Sequence, residues 1–244
     1  MRQFGLVGKT LSHSFSKIYF DEKFRREQIS DASYSLFEIT DIQDIISFIQ
    51  QHPDLVGFNV TIPYKQTIIP YLDALSEKAA KVNAVNTVLI QRTGDKFVTK
   101  GFNTDIIGFQ QSLQGLFLPP CALVLGTGGA AAAVTYVLKE LGCRGTAVSR
   151  DEKRGLPYSA LNVEIIRQHR LIVNCTPVGT YPDVNKKPDI PYEGISGEHF
   201  LYDLVYNPAE TAFLREGALR GARVLNGLSM LHAQAEAAWR LWNS

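Results

Sequence analysis

The sequence predicts an α/β protein built as two successive halves, and three observations carry that expectation. Short apolar runs of strand length alternate with longer segments whose apolar residues recur at helical spacing. The alternation halts at Leu118-Pro119-Pro120, where no helix can continue, and then begins again. The second series opens on an apolar strand that runs directly into a glycine-rich turn. Alternation of this β-α-β kind makes mainly parallel sheets.

In the first half, strands are expected at 3–8, 34–39, 55–60, 84–90 and 97–101. Helices are expected at 16–28 and 41–51, the second with Asp41 as its N-cap. Thr93-Gly94-Asp95 is a turn signal that closes the last two strands into a hairpin. A helix from Asp105 to Phe117 is then stopped by the Pro-Pro pair. In the second half, strands are expected at 122–125, 146–149, 171–174, 201–204 and 223–225, with helices at 130–141, 210–217 and 229–242. The halves meet near Thr104–Asp105. The last helix is amphipathic, and its pattern leaves open which half it packs against.

A chain of 244 residues can bury a substantial core as one large domain or two ordinary ones. Its 45% hydrophobic and 20% charged content is that of a soluble globular protein. A formal net charge of +1 gives no support for nucleic acid or an anionic membrane as partner, and no apolar run is long enough to span a bilayer. Met1-Arg2-Gln3-Phe4-Gly5-Leu6 enters the first strand without a signal-type apolar region. Cys121, Cys143 and Cys175 are odd in number and widely spaced, with no CxxC pair or His/Cys cluster to hold a metal. The expected location is the cytoplasm, where such thiols stay reduced.

The most specific local motif follows the strand Ala122-Leu123-Val124-Leu125. Gly126-Thr127-Gly128-Gly129-Ala130-Ala131 satisfies G-x-G-x-x-A, and a helix-forming run follows. Gly126 makes the tight turn, Gly128 lets backbone approach a pyrophosphate, and Ala131 lets helix and strand pack closely. The strand before and the helix after supply the context that such a motif requires. A glycine-rich turn without a ligand is the bland alternative. The next strand ends in Ser149-Arg150-Asp151, with Lys153 and Arg154 close behind. Arginine at that place suits a 2′-phosphate and so NADP, whereas Asp151 suits the ribose hydroxyls of NAD.

The tripeptide Gly-Phe-Asn occurs twice, each time within or at the end of an expected strand. Gly57-Phe58-Asn59 leads through Val60-Thr61-Ile62-Pro63-Tyr64 to Lys65, and Gly101-Phe102-Asn103 leads through Thr104 to Asp105. If both strands lie in one sheet, Lys65 and Asp105 meet at one edge and form a proton-handling pair. A free lysine is a poor base at neutral pH; burial lowers its pKa and an adjacent carboxylate raises it, so the arrangement decides. The bland readings are a surface lysine and an aspartate that caps the following helix. In Ser12-His13-Ser14-Phe15-Ser16, Ser14 and Ser16 offer either helix caps or two hydroxyls for a carboxylate, and the cap is favoured on physical grounds alone.

With these pieces in order, the chain resembles the shikimate dehydrogenase family over nearly its whole length. Ser14-Phe15-Ser16 is similar to the family's Ser-x-Ser, residues 57–65 to its lysine segment, and Ala84-Val85-Asn86-Thr87 and 101–105 to its next two blocks. The turn at 126–130, Asn174-Cys175-Thr176-Pro177-Val178-Gly179, Tyr206-Asn207-Pro208 and the stretch from Gly227 to Gln234 resemble its later blocks. The resemblance implies an α/β substrate domain (1–104 plus 228–244) and a Rossmann-like NADP-binding domain (105–227), with the C-terminal helix returning to the first. It implies reversible reduction of 3-dehydroshikimate by NADPH, with Lys65 and Asp105 as the catalytic pair. Ser14, Ser16, Thr61, Lys65, Asn86, Asp105, Tyr206 and Gln234 would surround the substrate. Gly126, Thr127, Gly128, Gly129, Ala130, Ser149, Arg150, Arg154, Thr176, Val205 and Gly227 would hold NADP. No metal is implied, and the chain would be a monomer or homodimer.

The chain departs from the family pattern in four places. Lys17 stands where a proline is usual, Ser149-Arg150-Asp151 replaces Asn-Arg-Thr, Thr180 stands for a methionine, and the stretch 151–170 is short, which predicts a truncated helix. The rival readings are a quinate/shikimate dehydrogenase that uses NAD and a non-catalytic ligand sensor on the same scaffold. The presence of both Lys65 and Asp105 argues against the sensor. A folate-type dehydrogenase is disfavoured by the Ser-x-Ser and Gly-Phe-Asn-Thr-Asp blocks.

Overall fold

The computed structural model describes residues 1–11 and 14–244, so Ser12 and His13 lie outside the described residues. The chain divides into two compact units, Met1–Ile107 with Gln234–Ser244, and Gly108–Ala233. The divisions fall inside two helices, whereas the sequence places them at the starts of those helices.

Unit 1 is built on β1 (Arg2–Gly8), α1 (Phe15–Arg26), β2 (Ala32–Glu38), α2 (Ile45–Gln51), β3 (Leu55–Val60), α3 (Tyr64–Thr67), β4 (Ala74–Leu75), α4 (Glu77–Val82), β5 (Thr87–Thr93) and β6 (Lys96–Phe102). The helix α5 (Asp105–Ser112) follows. The strand order is β2-β1-β3-β5-β6-β4. Only β5 among these strands runs against its neighbours, pairing antiparallel with β3 and with β6. Asp41 caps a 3-10 turn at 42–44 rather than α2 itself, accepting the Gln43 N–H at 3.0 Å. Sequence periodicity misses α3, α4 and β4, which are too short to show it.

Side chains alternate across β1 as a strand requires: Phe4 and Leu6 enter one core cluster and Val7 the other. The first cluster is aromatic. Phe20 of α1 stacks on Tyr34 of β2 with ring centroids 4.4 Å apart. Trp242 of the last helix stacks on Phe4 at 4.9 Å. That helix is α9 (Leu228–Trp242), and its residues from Gln234 onward belong to unit 1. The Trp242 indole N–H donates to the Val88 carbonyl at 3.0 Å. It lies so close over Gly57 that a Cβ there would stand 2.4 Å from the indole nitrogen. Buried Lys23 of α1 bonds both Glu236 oxygens, at 2.9 and 3.0 Å, and the Tyr19 hydroxyl donates to the same carboxylate. The last helix is thereby fastened to unit 1 by packing and by charge.

Unit 2 carries β7 (Cys121–Leu125), α6 (Gly129–Glu140), β8 (Arg144–Ser149), β9 (Leu156–Pro157), α7 (Val163–Gln168), β10 (Leu171–Asn174), β11 (Phe200–Asp203), α8 (Ala212–Ala218) and β12 (Arg223–Asn226). Its sheet runs β12-β11-β10-β7-β8-β9 with every pair parallel. Leu123, Leu125, Ile172 and Leu201 share one buried cluster with Phe213 and Leu214. The near-continuous apolar strands are what a parallel sheet covered on both faces demands. In the short stretch 151–170, α7 has six residues.

The indole of Trp242 is 4% exposed within the aromatic cluster. Trp242→Ala is expected to lower stability by about 3–5 kcal/mol, read from the midpoint and slope of urea denaturation.

Candidate functional site

The edge shared by Lys65 and Asp105 follows from strand direction. Because β5 opposes both β3 and β6, those two strands run the same way and both Gly-Phe-Asn copies end at one edge of the sheet. The beginning of β5 lies at that edge too, which places Asn86 there. Lys65 Nζ donates to Asp105 Oδ2 at 2.6 Å, with the lysine side chain 16% exposed and the aspartate side chain 7%. Asn86 Nδ2 donates to Asp105 Oδ1 at 2.7 Å. Asn86 Oδ1 in turn accepts the Thr104 N–H at 2.6 Å and the hydroxyls of Thr87 and Thr104 at 3.1 Å. Each carboxylate oxygen of Asp105 therefore has a fixed donor.

The two asparagines of the repeat support this edge from below. Asn103 Oδ1 accepts the Ile106 N–H at 3.3 Å, so Asn103 and not Asp105 does the capping of α5. Asn59, 4% exposed, accepts from the Tyr34 hydroxyl at 2.9 Å and donates to the Asn86 carbonyl and to Thr87 Oγ1. The Tyr34 hydroxyl is also a hydrogen-bond neighbour of Ser16, and burial pushes its pKa up. The sequence contains no local signal for Tyr34, since its partners are distant along the chain.

Ser14 stands at the N-cap position of α1, yet its side chain makes no capping bond. The cap that local physics favours is not formed, and Ser14 and Ser16 are both half-buried. Lys17, at the departure from proline, is bonded to Asp21 at 2.7 Å and to the Tyr34 carbonyl at 3.2 Å, so the first turn of α1 is tied to β2. Half-buried Thr61 donates its N–H to the Val7 carbonyl at 3.0 Å. β1 lies between β2 and β3, so the order reverses there, and Ser14, Ser16, Thr61 and Lys65 all follow the carboxyl ends of β1 and β3. Ligands of open α/β sheets bind at such a reversal. Gln234 joins from α9, its Oε1 3.4 Å from the Thr104 hydroxyl.

Unit 2 repeats the logic. Its order reverses between β7 and β10. The turn after β7 and the loop after β10 meet there: a Cβ on Gly126 would lie 3.2 Å from Thr176 Cγ2. Gly126 has φ +110°, which a side chain would strain. A Cβ on Gly128 would meet nothing within 4 Å, so space stands open over the start of α6, whose first N–H groups have no side-chain cap. Thr127, Gly129 and Ala130 complete this turn. An open cradle above unbonded helix N–H groups fits a pyrophosphate.

At the end of β8, Ser149 is buried and Arg150 exposed. Asp151 folds into its own turn, its Oδ1 accepting the Lys153 N–H at 3.1 Å and its N–H donating to Ser149 Oγ at 3.1 Å. Arg154 donates to the Thr127 carbonyl at 2.5 Å, bracing the glycine turn. Val205 is buried after β11 and accepts the Gly227 N–H at 3.2 Å; half-buried Tyr206 comes next. The residue that sequence reasoning misses here is Asp203, fully buried between apolar neighbours. Desolvation pushes its carboxyl up to about 6 against the opposing pull of three hydrogen bonds. An acid closing an apolar strand was the available signal. Among the described residues no group of three or more His, Cys, Asp or Glu side chains could hold a metal, and no helix is long and apolar enough to cross a membrane.

Asn86→Ala would strip Asp105 of one donor and leave the Thr104 N–H without its acceptor. The expected cost is about 1–3 kcal/mol, measured by chemical denaturation against the parent chain.

Comparison with known proteins agrees with this geometry. Residues 6–88 match the model of the shikimate dehydrogenase substrate binding domain. The shikimate dehydrogenase (NADP(+)) of Methanococcus maripaludis is 35% identical over 260 residues, covering 98% of this chain and 90% of the relative. The shikimate 5-dehydrogenase of Thermus thermophilus, solved with NADP(H) and shikimate, superposes with a TM-score of 0.85 at 33% identity, covering 99% of this chain and 93% of that one. Quinate dehydrogenase from Corynebacterium glutamicum, solved with NAD, has a TM-score of 0.86 at 26% identity, with coverage of 99% and 93%. With identity of this level sustained along nearly its full length, the chain belongs to the shikimate dehydrogenase family.

Proposed function

We infer that this chain is an NADP-dependent shikimate dehydrogenase, which interconverts 3-dehydroshikimate and shikimate in the biosynthesis of chorismate and the aromatic amino acids. The observation that carries the reading is the Lys65–Asp105 pair, held at 2.6 Å at the edge where β3 and β6 end. When bound, NADPH supplies the hydride that reduces the substrate carbonyl carbon, and NADP accepts it in reverse. Gly126, Thr127, Gly128, Gly129 and Ala130 would hold its pyrophosphate, and Thr176, Val205 and Gly227 would line the neighbouring strand ends. Ser149, Arg150 and Arg154 would face the adenosine end.

Reduction adds one proton to the carbonyl oxygen, and oxidation removes it. Lys65 Nζ gives and takes that proton, and Asp105 orients the ammonium group and shares the charge. Asn86 keeps Asp105 from turning away. The hydroxyls of Ser14 and Ser16 donate to the substrate carboxylate, a role supported by the capping bond that Ser14 does not make. Thr61, Asn86, Asp105 and Gln234 address the ring hydroxyls, and Tyr206 is assigned to substrate binding by the same family reading. A cytoplasmic location and a monomeric or homodimeric state belong to the same reading.

A second reading, quinate/shikimate dehydrogenase activity with NAD, is favoured by one observation: an acid, Asp151, directly after Arg150. Its Oδ1 is engaged by the Lys153 N–H in a local turn, which supports Arg150 as the residue that decides.

Lys65→Ala is expected to lower kcat by about 10²–10⁴-fold while shikimate still binds in calorimetry; retention of most activity would refute the assigned role. Arg150→Ala should raise KM for NADP about tenfold or more and leave that for NAD unchanged. Following NADPH absorbance with shikimate against quinate separates the two readings, and quinate turnover equal to that of shikimate would overturn the first.

A further inference from the structure

Asp203 is 0% exposed, at the last position of β11. It reaches no surface and is too deep to touch a cofactor. Three donors nevertheless converge on it. Thr211 Oγ1 donates to Oδ2 at 2.6 Å, and Asn174 Nδ2 and the Val205 N–H donate to Oδ1 at 2.9 and 3.0 Å. Asn174 ends β10, and its Oδ1 accepts both the N–H of Thr176, at 3.0 Å, and its hydroxyl, at 2.6 Å. Thr176 is the residue whose methyl group packs against Gly126. On the other side, Val205 accepts the Gly227 N–H.

We propose that Asp203 is the positioning residue of the cofactor face of unit 2, locking the loop after β10 to the loop after β11 and so setting where Thr176 and Val205 stand. A carboxylate suits this place because all three partners are donors and a carboxylate only accepts. Neither an amide nor an alcohol of similar size can take three donors without presenting one of its own. Thr211 serves the lock from α8 and also caps that helix, its Oγ1 accepting the Leu214 N–H at 3.3 Å. The residues that would contact NADP thus inherit their positions from a buried acid that does not. This proposal rests on the dehydrogenase reading for the identity of the cofactor, whereas the lock itself does not depend on it.

The test measures NADP and shikimate affinity by calorimetry, and amide hydrogen exchange in the ligand-free protein, for Asp203→Asn, Thr211→Val and Thr211→Ser. For Asp203→Asn, NADP binding should weaken about tenfold or more, shikimate binding should stay within about twofold, and the Thr176 and Val205 amides should exchange at least about tenfold faster while unit 1 amides do not change. Thr211→Val should move the same readouts in the same direction, and Thr211→Ser, which restores the hydroxyl, should return them to parent values. A folded Asp203→Asn protein with parental NADP affinity and exchange overturns the proposal, as does equal weakening of both ligands, which marks a merely structural acid. If Asp203→Asn does not fold, Thr211→Val decides by the same criteria. A parent chain that binds no NADP would sink the cofactor assignment instead, and the exchange readout would still judge the lock.

Discussion

Asp105 is held from two sides, by the Lys65 ammonium on one oxygen and by the Asn86 amide on the other, and the architecture of unit 1 can be read as what that arrangement requires. The two partners sit on separate segments, one after β3 and one before β5. They meet because a single strand runs backwards: β5 opposes both neighbours, so the end of β3, the start of β5 and the end of β6 fall at one edge. Asn59 and Asn103 then stiffen the floor, the first bridging Tyr34 to the Asn86 backbone and the second taking the capping duty that would otherwise compete for Asp105. A carboxylate relieved of capping and pinned at both oxygens can orient a lysine with little reorganisation, which is the electrostatic condition for fast proton transfer.

Unit 2 solves a different problem with the same geometry. Its sheet is wholly parallel, and the reversal of strand order between β7 and β10 opens a crevice at their carboxyl ends. The Gly126 turn and Thr176 face each other there, and the open space over Gly128 leaves the first N–H groups of α6 available to an anion. The bracing comes from side chains outside the motif: Arg154 on the Thr127 carbonyl, Asn174 on Thr176, and Asp203 beneath both loops. The Gly126 turn is therefore supported by side chains outside its own glycine motif.

Much of this was legible in the sequence, for identifiable reasons. The strands at 55–60 and 171–174 coincide with β3 and β10, because β-branched and aromatic residues bounded by breakers leave little choice. The meeting of Lys65 and Asp105 was legible because the echo of Gly-Phe-Asn marks two equivalent strand ends. The four-residue α3 and the six-residue α4 were missed, since fewer than two turns cannot display a period, and the six-residue α7 was expected only as the truncated helix that the family resemblance implies for 151–170. Asp203, Tyr34 and Asn103 were missed for another reason. The roles of Asp203 and Tyr34 are set by Asn174 and Asn59, which come close only in space, whereas Asn103 takes the Ile106 N–H three residues on, a choice between it and nearby Asp105 that local pattern alone does not decide.

The fastening of α9 bears on how the molecule is made. Phe4, Phe20 and Tyr34 belong to the opening stretch of the chain, yet the indole that covers them is Trp242, which emerges only after all of unit 2. Unit 2 is one uninterrupted segment and can close its sheet as it leaves the ribosome. Unit 1 must wait with an aromatic patch uncovered for on the order of ten seconds at ordinary rates of elongation. The turn of α9 that carries Trp242 thus works as a latch made after unit 2, and until it shuts the aromatic patch of unit 1 is open to chaperones and to self-association.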